Sequence, residues 1–531
     1  MKNILQKLEE IATKNPQKVL FAEKSGNDIN EITYGDFVMM SKAVASAFKI
    51  VGKRNQPIAV FDNRNINTLI SMFGVLYSGN YYVILDSHSP MERLAKITSI
   101  LKPVAYVFED SNIDLLKQLK CNKERSEAIN ADNLSTNNEA LSIAYFNINE
   151  IKSTFIDEDF ITLRRSLMIS NDPIYALFTS GSTGMPKGTI LTHQNVLNYA
   201  EWFTTTFSIN DKTILGNQTP FYFSMSVSDI FGCIYGGATL NIIPKTFFSF
   251  PIQLVQFMNE RKINTIYWVP SALSIVANLK LFDYAKPAYL AKVLFAGELM
   301  PNKQLNYWRN SLSKDIMYAN LFGPTETTDI CTYYIVNRSF KDDESLPIGS
   351  HCDNCDTFIV DEYGKEIKEQ GVVGELYVRG SFVALGYFDN DEKTKATFVQ
   401  NPLQCHYPEI VYKTGDLVKL NEYDEYIYMG RKDFQIKHMG YRIELGEIET
   451  MASSLEKVNA VVCLYDAEVD SIIMVYEGKI KEANLIDALK AKVPPYMVPN
   501  KVIKTNQMPY NANGKIDRAF LKSNYKNLIK E

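Results

Sequence analysis

Short runs of β-branched and aromatic residues alternate along most of the chain with longer stretches whose apolar positions recur at helical spacing. "QPIAVFD", "YYVILD", "VAYVFED", "TIYWVP" and "AKVLFAGE" predict buried strands. "NTLISMFGVLYSG", "MERLAKITSIL" and "FPIQLVQFMNERK" predict helices between them. Strands alternating with helices predict α/β layers, in which sheets are flanked by helices. The opening "MKNILQKLEEIATKNPQKVLF" mixes charges among its apolar positions, which predicts an amphipathic helix rather than a signal peptide. The polar stretch from Cys121 to Ala140 predicts a surface excursion. No unbroken apolar run approaches the eighteen or more residues of a membrane span, so none is expected.

After about Gly430 the texture changes. "NAVVCLYD" and "SIIMVYEG" read as strands and "EANLIDALKAKV" as a helix, a small α+β domain of about a hundred residues. A chain of 531 residues exceeds what one hydrophobic core serves, so two domains are expected, 1–432 and 433–531. The net charge of −5 gives no electrostatic footprint for nucleic acid. Seven scattered cysteines suggest free thiols in a reducing cytoplasm. "HCDNC" (His351, Cys352, Cys355) has metal-like spacing but lacks a second ligand pair, so structural zinc is not expected.

One stretch breaks the pattern. "LFTSGSTGMPKGTILTH", Leu177 to His193, packs glycines, hydroxyls and a lysine between apolar flanks. It is not a Walker A loop, because Lys187 follows a proline and precedes a glycine. Its glycines, at 181, 184 and 188, do not fit the dinucleotide spacing, and no nucleophile elbow surrounds Ser180 or Ser182. What remains is a loop whose amides and hydroxyls can wrap a phosphate, with lysine as countercharge. A surface turn of incidental polarity is the plain alternative.

Further motifs follow in order. The loop resembles the signature of the adenylate-forming superfamily, which includes nonribosomal peptide synthetase adenylation domains, D-alanine–carrier protein ligases, acyl-CoA synthetases and firefly luciferase. "NLFGPTETT" (Asn320 to Thr328) resembles that family's adenine and magnesium motif, and "YKTGDL" (Tyr412 to Leu417) its ribose motif. "GRKDFQIKHMGYRIELGEIE" (Gly430 to Glu449) resembles its hinge motif, and "NANGKIDR" (Asn511 to Arg518) its catalytic-lysine motif.

The resemblance implies a large N-terminal α/β domain and a small mobile α+β C-terminal lid. It implies that ATP and Mg²⁺ convert a carboxylic acid to an acyl-adenylate, releasing pyrophosphate, before a thiol takes the acyl group. Thr179, Ser180, Ser182, Thr183 and Lys187 would hold the β- and γ-phosphates, approached closely by the backbone at Gly181, Gly184 and Gly188. Glu326 would hold Mg²⁺, a hard cation suited to carboxylate oxygen. Thr325 would touch the α-phosphate. Phe322 would stack on adenine beside Asn320 and Gly323, with backbone near Gly297 and Glu298 reading the base edge. Asp416 and Arg431 would serve the ribose. Lys515 would bridge the incoming carboxylate and the α-phosphate as catalyst. Asp433 would be the hinge, and Lys437 and Gly440 would belong to the face used for thiol transfer.

The flanks of the shared Thr-Glu, with "NGKIDR", resemble carrier-loading enzymes more than CoA ligases. The expected acceptor is a phosphopantetheine thiol on a separate carrier protein, with CoA the alternative; a non-catalytic adenylate sensor is the reading outside enzymes. The alignment suggests a pocket of Phe223, Ser224, Met225, Ser228, Tyr267, Leu294, Ala296, Leu321, Asp329 and Ile330. Amino-acid-activating relatives carry aspartate right after the phenylalanine, where this chain has Ser224. A neutral serine cannot match a buried ammonium as a carboxylate does. Two substrates fit: an amino acid whose amine is unusually placed, which Asp329 could hold from another direction, or a hydroxy or aryl acid. Asp229 reads as structural.

Overall fold

The computed structural model describes residues 3–130, 143–181, 185–433, 435–467, 469–509 and 516–528. Among them the protein divides into a large mixed α/β domain and a smaller strand-rich domain, each with its own apolar core.

Two sheets of the large domain are mainly parallel. Six parallel strands form the centre of the first, in the order Met317–Phe322, Lys292–Phe295, Thr265–Trp268, Ile214–Asn217, Thr239–Ile242, Val19–Ser25. The second runs Gly386–Tyr387, Lys187–Thr192, Pro173–Thr179, Tyr81–Asp86, Pro57–Asp62, Ala105–Phe108, Ala144–Asn147. Every residue of Pro57–Asp62 is buried, as expected of a strand with helices on both faces. The five strands and three helices expected from the apolar runs are present, as is the opening helix, Ile4–Lys14. Helix Ile113–Asn130 takes in the first part of the polar excursion; residues 131–140 of it lie outside the described residues.

A third sheet, built from Cys355–Val360, Gly374–Gly380, Ile410–Leu420, Tyr426–Arg431 and two short edge strands, is antiparallel. The α/β expectation did not anticipate it. Its longest strand contains "YKTGDL", whose glycine and polar residues mask the strand pattern.

In the smaller domain, the hairpin Gln435–His438/Tyr441–Glu444 precedes a three-stranded sheet of Val458–Asp466, Ser471–Gly478 and Lys501–Thr505. The pleat sends alternate residues to opposite faces. Val461, Cys463, Ile472 and Met474 face the hairpin's Ile436 and Ile443, whereas Val462, Leu464, Ile473 and Val475 face Met508 and Ile516. The hairpin and the chain flanking position 515 therefore pack on opposite sides of one sheet.

Candidate active site

The glycine loop joins two antiparallel strands whose register sets Thr179 opposite Lys187. Ser182, Thr183 and Gly184 lie outside the described residues, and so does Lys515. Thr179 Oγ1 is buried and has no hydrogen-bond partner among the described residues. Gly181 is obligatory on steric grounds, since a Cβ there would lie 2.1 Å from the Met185 carbonyl oxygen. Lys187 points inward and is 5% exposed, with Nζ 3.3 Å from Glu326 Oε1.

Glu326 sits in a single 3-10 turn, Thr325–Thr327, and its side chain is fully buried. Its carbonyl accepts from Ala384 N at 2.9 Å. Tyr387 Oη donates to its Oε1 at 2.6 Å, and Arg442 Nη1 to its Oε2 at 2.5 Å. Burial alone would raise this carboxyl, yet Arg442, Lys187 and Tyr387 together hold it well below the usual carboxylate range. Burial, with Arg442 nearby, pulls the Lys187 ammonium down to about 8. An ionised, buried oxygen donor matched by cations suits Mg²⁺, which usually takes one or two protein carboxylates and completes its shell with phosphates and water. Among the described residues no group of three or more His, Cys, Asp or Glu could hold a metal; Cys352 and Cys355 are both buried.

Asp416, 2% exposed, accepts from Arg431 Nη1 at 2.9 Å, and the same guanidinium grips Asp433 in two bonds of 2.6 and 2.8 Å. Phe322 lies against Tyr428, with Lys437 Nζ 4.5 Å from its ring centre. Asn320 Nδ2 donates to the Pro347 carbonyl at 2.8 Å. Gly323 is wrapped so tightly by Asp329 and Ile330 that a Cβ would meet backbone at 2.4 Å. Gly297 and Gly440, both at positive φ, bring the two domains together, and Gly440 N donates to Glu298 Oε1 at 2.5 Å.

The pocket expected from the alignment assembles around one carboxylate. Asp329 Oδ2 accepts from Ser228 at 2.8 Å, Tyr267 at 3.0 Å and Tyr199 at 3.1 Å. Burial pushes this carboxyl up to about 6 against the hydroxyl donors, Ser224 among them. Ser228 opens a π-helical turn, Ser228–Gly232, a distortion that recurs at functional sites. Leu294, Ala296, Leu321, Met225 and Ile330 are buried, Leu294 in register with Tyr267 on the neighbouring strand, and Phe223 packs on Tyr441 of the small domain at 5.7 Å. Between Glu326 and Asp329, Thr328 holds φ at +71°, a strained conformation for a β-branched residue. Asp229 accepts from Asn217 at 2.7 Å, and burial pushes it up to about 8.

A family model for AMP-binding enzymes matches residues 8–388. The chain belongs to the AMP-binding enzyme family. It is 30% identical to zwittermicin A synthase ZmaJ of Bacillus cereus, over 98% of this chain and 95% of that one. It is 29% identical to the D-alanine–D-alanyl carrier protein ligase of Staphylococcus haemolyticus (strain JCSC1435), over 98% of each. Its fold is similar to that of the Vibrio cholerae adenylation domain AlmE in complex with glycyl-adenosine-5'-phosphate, with a TM-score of 0.80 at 19% identity, covering 99% of this chain and 98% of that one.

Sequence reasoning gave no individual role to Arg442, Tyr387 or Tyr199 in this AMP-binding enzyme. Arg442 lay inside the quoted hinge motif; the two tyrosines carried no local signal. No helix among the described residues is long and apolar enough to cross a membrane.

Proposed function

We propose that the protein uses ATP and Mg²⁺ in the cytoplasm to activate a carboxylic acid and then loads it onto the phosphopantetheine thiol of a separate carrier protein. The observation that carries this reading is the buried Glu326 carboxylate between the loop's Lys187 and the small domain's Arg442. The names of the relatives, a carrier protein ligase and a synthase, support it.

In the first step a carboxylate oxygen attacks the α-phosphorus, and the bond to the β-phosphate breaks with loss of pyrophosphate. Mg²⁺ on Glu326 would neutralise phosphate charge during that displacement. Lys187, Ser180 and Thr179 hold the leaving phosphates, Thr325 the α-phosphate, and Asp416 with Arg431 the ribose; Lys515 steadies the attacking carboxylate. In the second step thiolate sulfur attacks the acyl carbonyl and AMP leaves. The opposite-face packing of the hairpin and of Ile516 supports a rotation of 433–531 about Asp433, which exchanges one face for the other.

For the acid, the ring of hydroxyls around Asp329 supports an amine carried beyond the α-carbon. A buried carboxylate without a protein cation is stabilised by a substrate ammonium. The test is pyrophosphate release from ATP with a panel of α-amino, β-amino, hydroxy and aryl acids. Turnover of a β- or more distal amino acid, lost in Asp329→Asn, is expected. Preference for an acid without an amine would overturn the substrate reading, and silence across the panel would overturn the functional one.

A further inference from the structure

The hydroxyls around Asp329 grip one of its two oxygens. Ser228 Oγ, Tyr267 Oη and Tyr199 Oη all donate to Oδ2, at 2.8, 3.0 and 3.1 Å, and none of these three bonds goes to Oδ1. The donors come from three separate elements: the π-helical turn Ser228–Gly232, the strand Thr265–Trp268 and the helix His193–Thr206. A lone carboxylate turns easily about its last bond, whose torsion has broad, two-fold preferences. Three converging donors remove that freedom. Tyr199 ties the set together, because its hydroxyl also lies 2.7 Å from Ser228 Oγ. Its ring is fully buried, with the ring centres of Phe382 and Trp202 at 5.4 and 5.5 Å, so the phenol cannot follow a carboxylate that moves.

We infer that Tyr199 is a positioning residue for substrate selection: it keeps Oδ2 turned into the protein, so that Oδ1, beside the Ser224 hydroxyl, is the oxygen that receives a substrate ammonium. The inference rests on the reading of an acid whose amine lies beyond the α-carbon, and adds where on Asp329 that amine is held and what holds the carboxylate ready. Ser224 acts on the Asp329 carboxyl as a further hydroxyl donor. An ammonium brings three donors and no acceptor. Oδ1 and Ser224 Oγ offer it two acceptors, whereas Oδ2 is already surrounded. A hydroxyl in the amine's place brings one donor and no charge, so the clamp favours amine over hydroxyl. The Tyr199 bond also supports the ionised carboxyl, the form that attracts a cation.

The test compares Tyr199→Phe, which removes a single oxygen, with Tyr175→Phe. Tyr175 Oη feels the Asp329 charge but is buried with no hydrogen-bond partner among the described residues, so its loss leaves the clamp intact. Full-length proteins are assayed by pyrophosphate release with the amine-bearing acid turned over best in the panel, and with its twin carrying a hydroxyl in place of the amine. In Tyr199→Phe, kcat/KM for the amine-bearing acid at neutral pH should fall about tenfold, through KM, while the twin stays within about twofold. The acid limb near pH 6 should move up by about one unit, since a lost donor lets the carboxyl keep its proton to higher pH. The other titratable groups acting on Asp329 are Tyr175, Tyr267, Cys352 and Asp229. Burial raises the phenols and the thiol, and pushes Asp229, joined to Arg64 through Asn217, up to about 8, so none of them changes charge near pH 6. Equal losses for acid and twin, an unmoved limb, or the same displacement in Tyr175→Phe would each overturn the inference and leave the substrate reading standing. A wild-type preference for acids without an amine would overturn both, and silence across the panel the functional reading as well. Should Tyr199→Phe fail to fold, Ser228→Ala removes another of the three bonds and must move the limb the same way; an unmoved limb there overturns the inference.

Discussion

Arg93 of the large domain and Glu447 of the small one form an ion pair 2.9 Å long, with side chains only 7% and 6% exposed. Burial raises the Glu447 carboxyl while Arg93 opposes the shift, and Glu447 Oε2 has no partner among the described residues. Beside the pair, Tyr441 and Tyr496 stack at 3.7 Å and 4°, with Tyr441 also reaching Phe223. Removing one partner of such a pair costs about 3–5 kcal/mol if the other charge stays buried. Under the proposed rotation the small domain escapes most of that cost by swinging away. Arg93→Ala is therefore expected to spare ATP–pyrophosphate exchange within about threefold and to slow thiol transfer by about tenfold or more. Equal losses in both half-reactions would mean the contact serves stability alone.

Lys515 should behave in the opposite way. A lysine is ordinarily protonated at neutral pH, and the ammonium of Lys515 would act only while carboxylate and α-phosphate approach each other. Lys515→Ala should reduce carboxylate-dependent ATP–pyrophosphate exchange by at least about a hundredfold, the scale seen for loss of one preorganised charge partner. Transfer from a supplied acyl-adenylate to thiol should remain within severalfold. Near-normal exchange by the variant would remove Lys515 from the mechanism.

Arg431 links Asp416, the proposed ribose partner, to Asp433, the proposed hinge, through one guanidinium. The two duties can be separated. Asp433→Pro, which restricts rotation, should spare adenylation and impair thioester formation by about tenfold. Arg431→Ala should instead raise the KM for ATP in the first half-reaction. Parallel kinetics of the two half-reactions distinguish the outcomes, and equal loss of both in Asp433→Pro would count against a hinge there.

The chemistry in this chain was legible wherever it is local. The glycine loop, the turn of Glu326, the strand of Asp416 and the segment proposed as a hinge are continuous motifs, and the parallel strands announce themselves because both faces are apolar. What stayed hidden comes from pairings distant in sequence. Arg442 meets Glu326 across 116 positions, Tyr199 meets Asp329 across 130, and Tyr387 meets Glu326 across 61. The antiparallel sheet was missed because two of its strands, Glu366–Ile367 and Phe398–Gln400, are too short to show alternation. Ser224 was readable as a departure; that Asp329 gathers hydroxyls from a helix, a π-turn and a strand required the fold.

Asp329 gives the site a pH signature whose sign is fixed. Its carboxyl lies at about 6 in the folded protein against 3.8 ordinarily. Between those values the folded state keeps a proton that the unfolded chain has released, so stability from this group is greatest below about 4 and falls as pH rises to about 6. At about 1.4 kcal/mol per unit the span is roughly 3 kcal/mol. Asp329→Asn cannot titrate, so the stability of the variant minus that of the wild type should climb across this window and level off above it, whatever constant offset the altered hydrogen bonds add. Denaturant unfolding at pH 4, 5, 6 and 7 reads the difference directly. The same ionisation should govern binding of an ammonium group. For a β- or more distal amino acid, kcat/KM of the wild type should fall about tenfold per unit below pH 6, where Asp329 gains its proton, and that limb should vanish in the variant. A stability difference that rises as proposed beside a flat activity profile would leave Asp329 buried and costly but without a cationic substrate to hold.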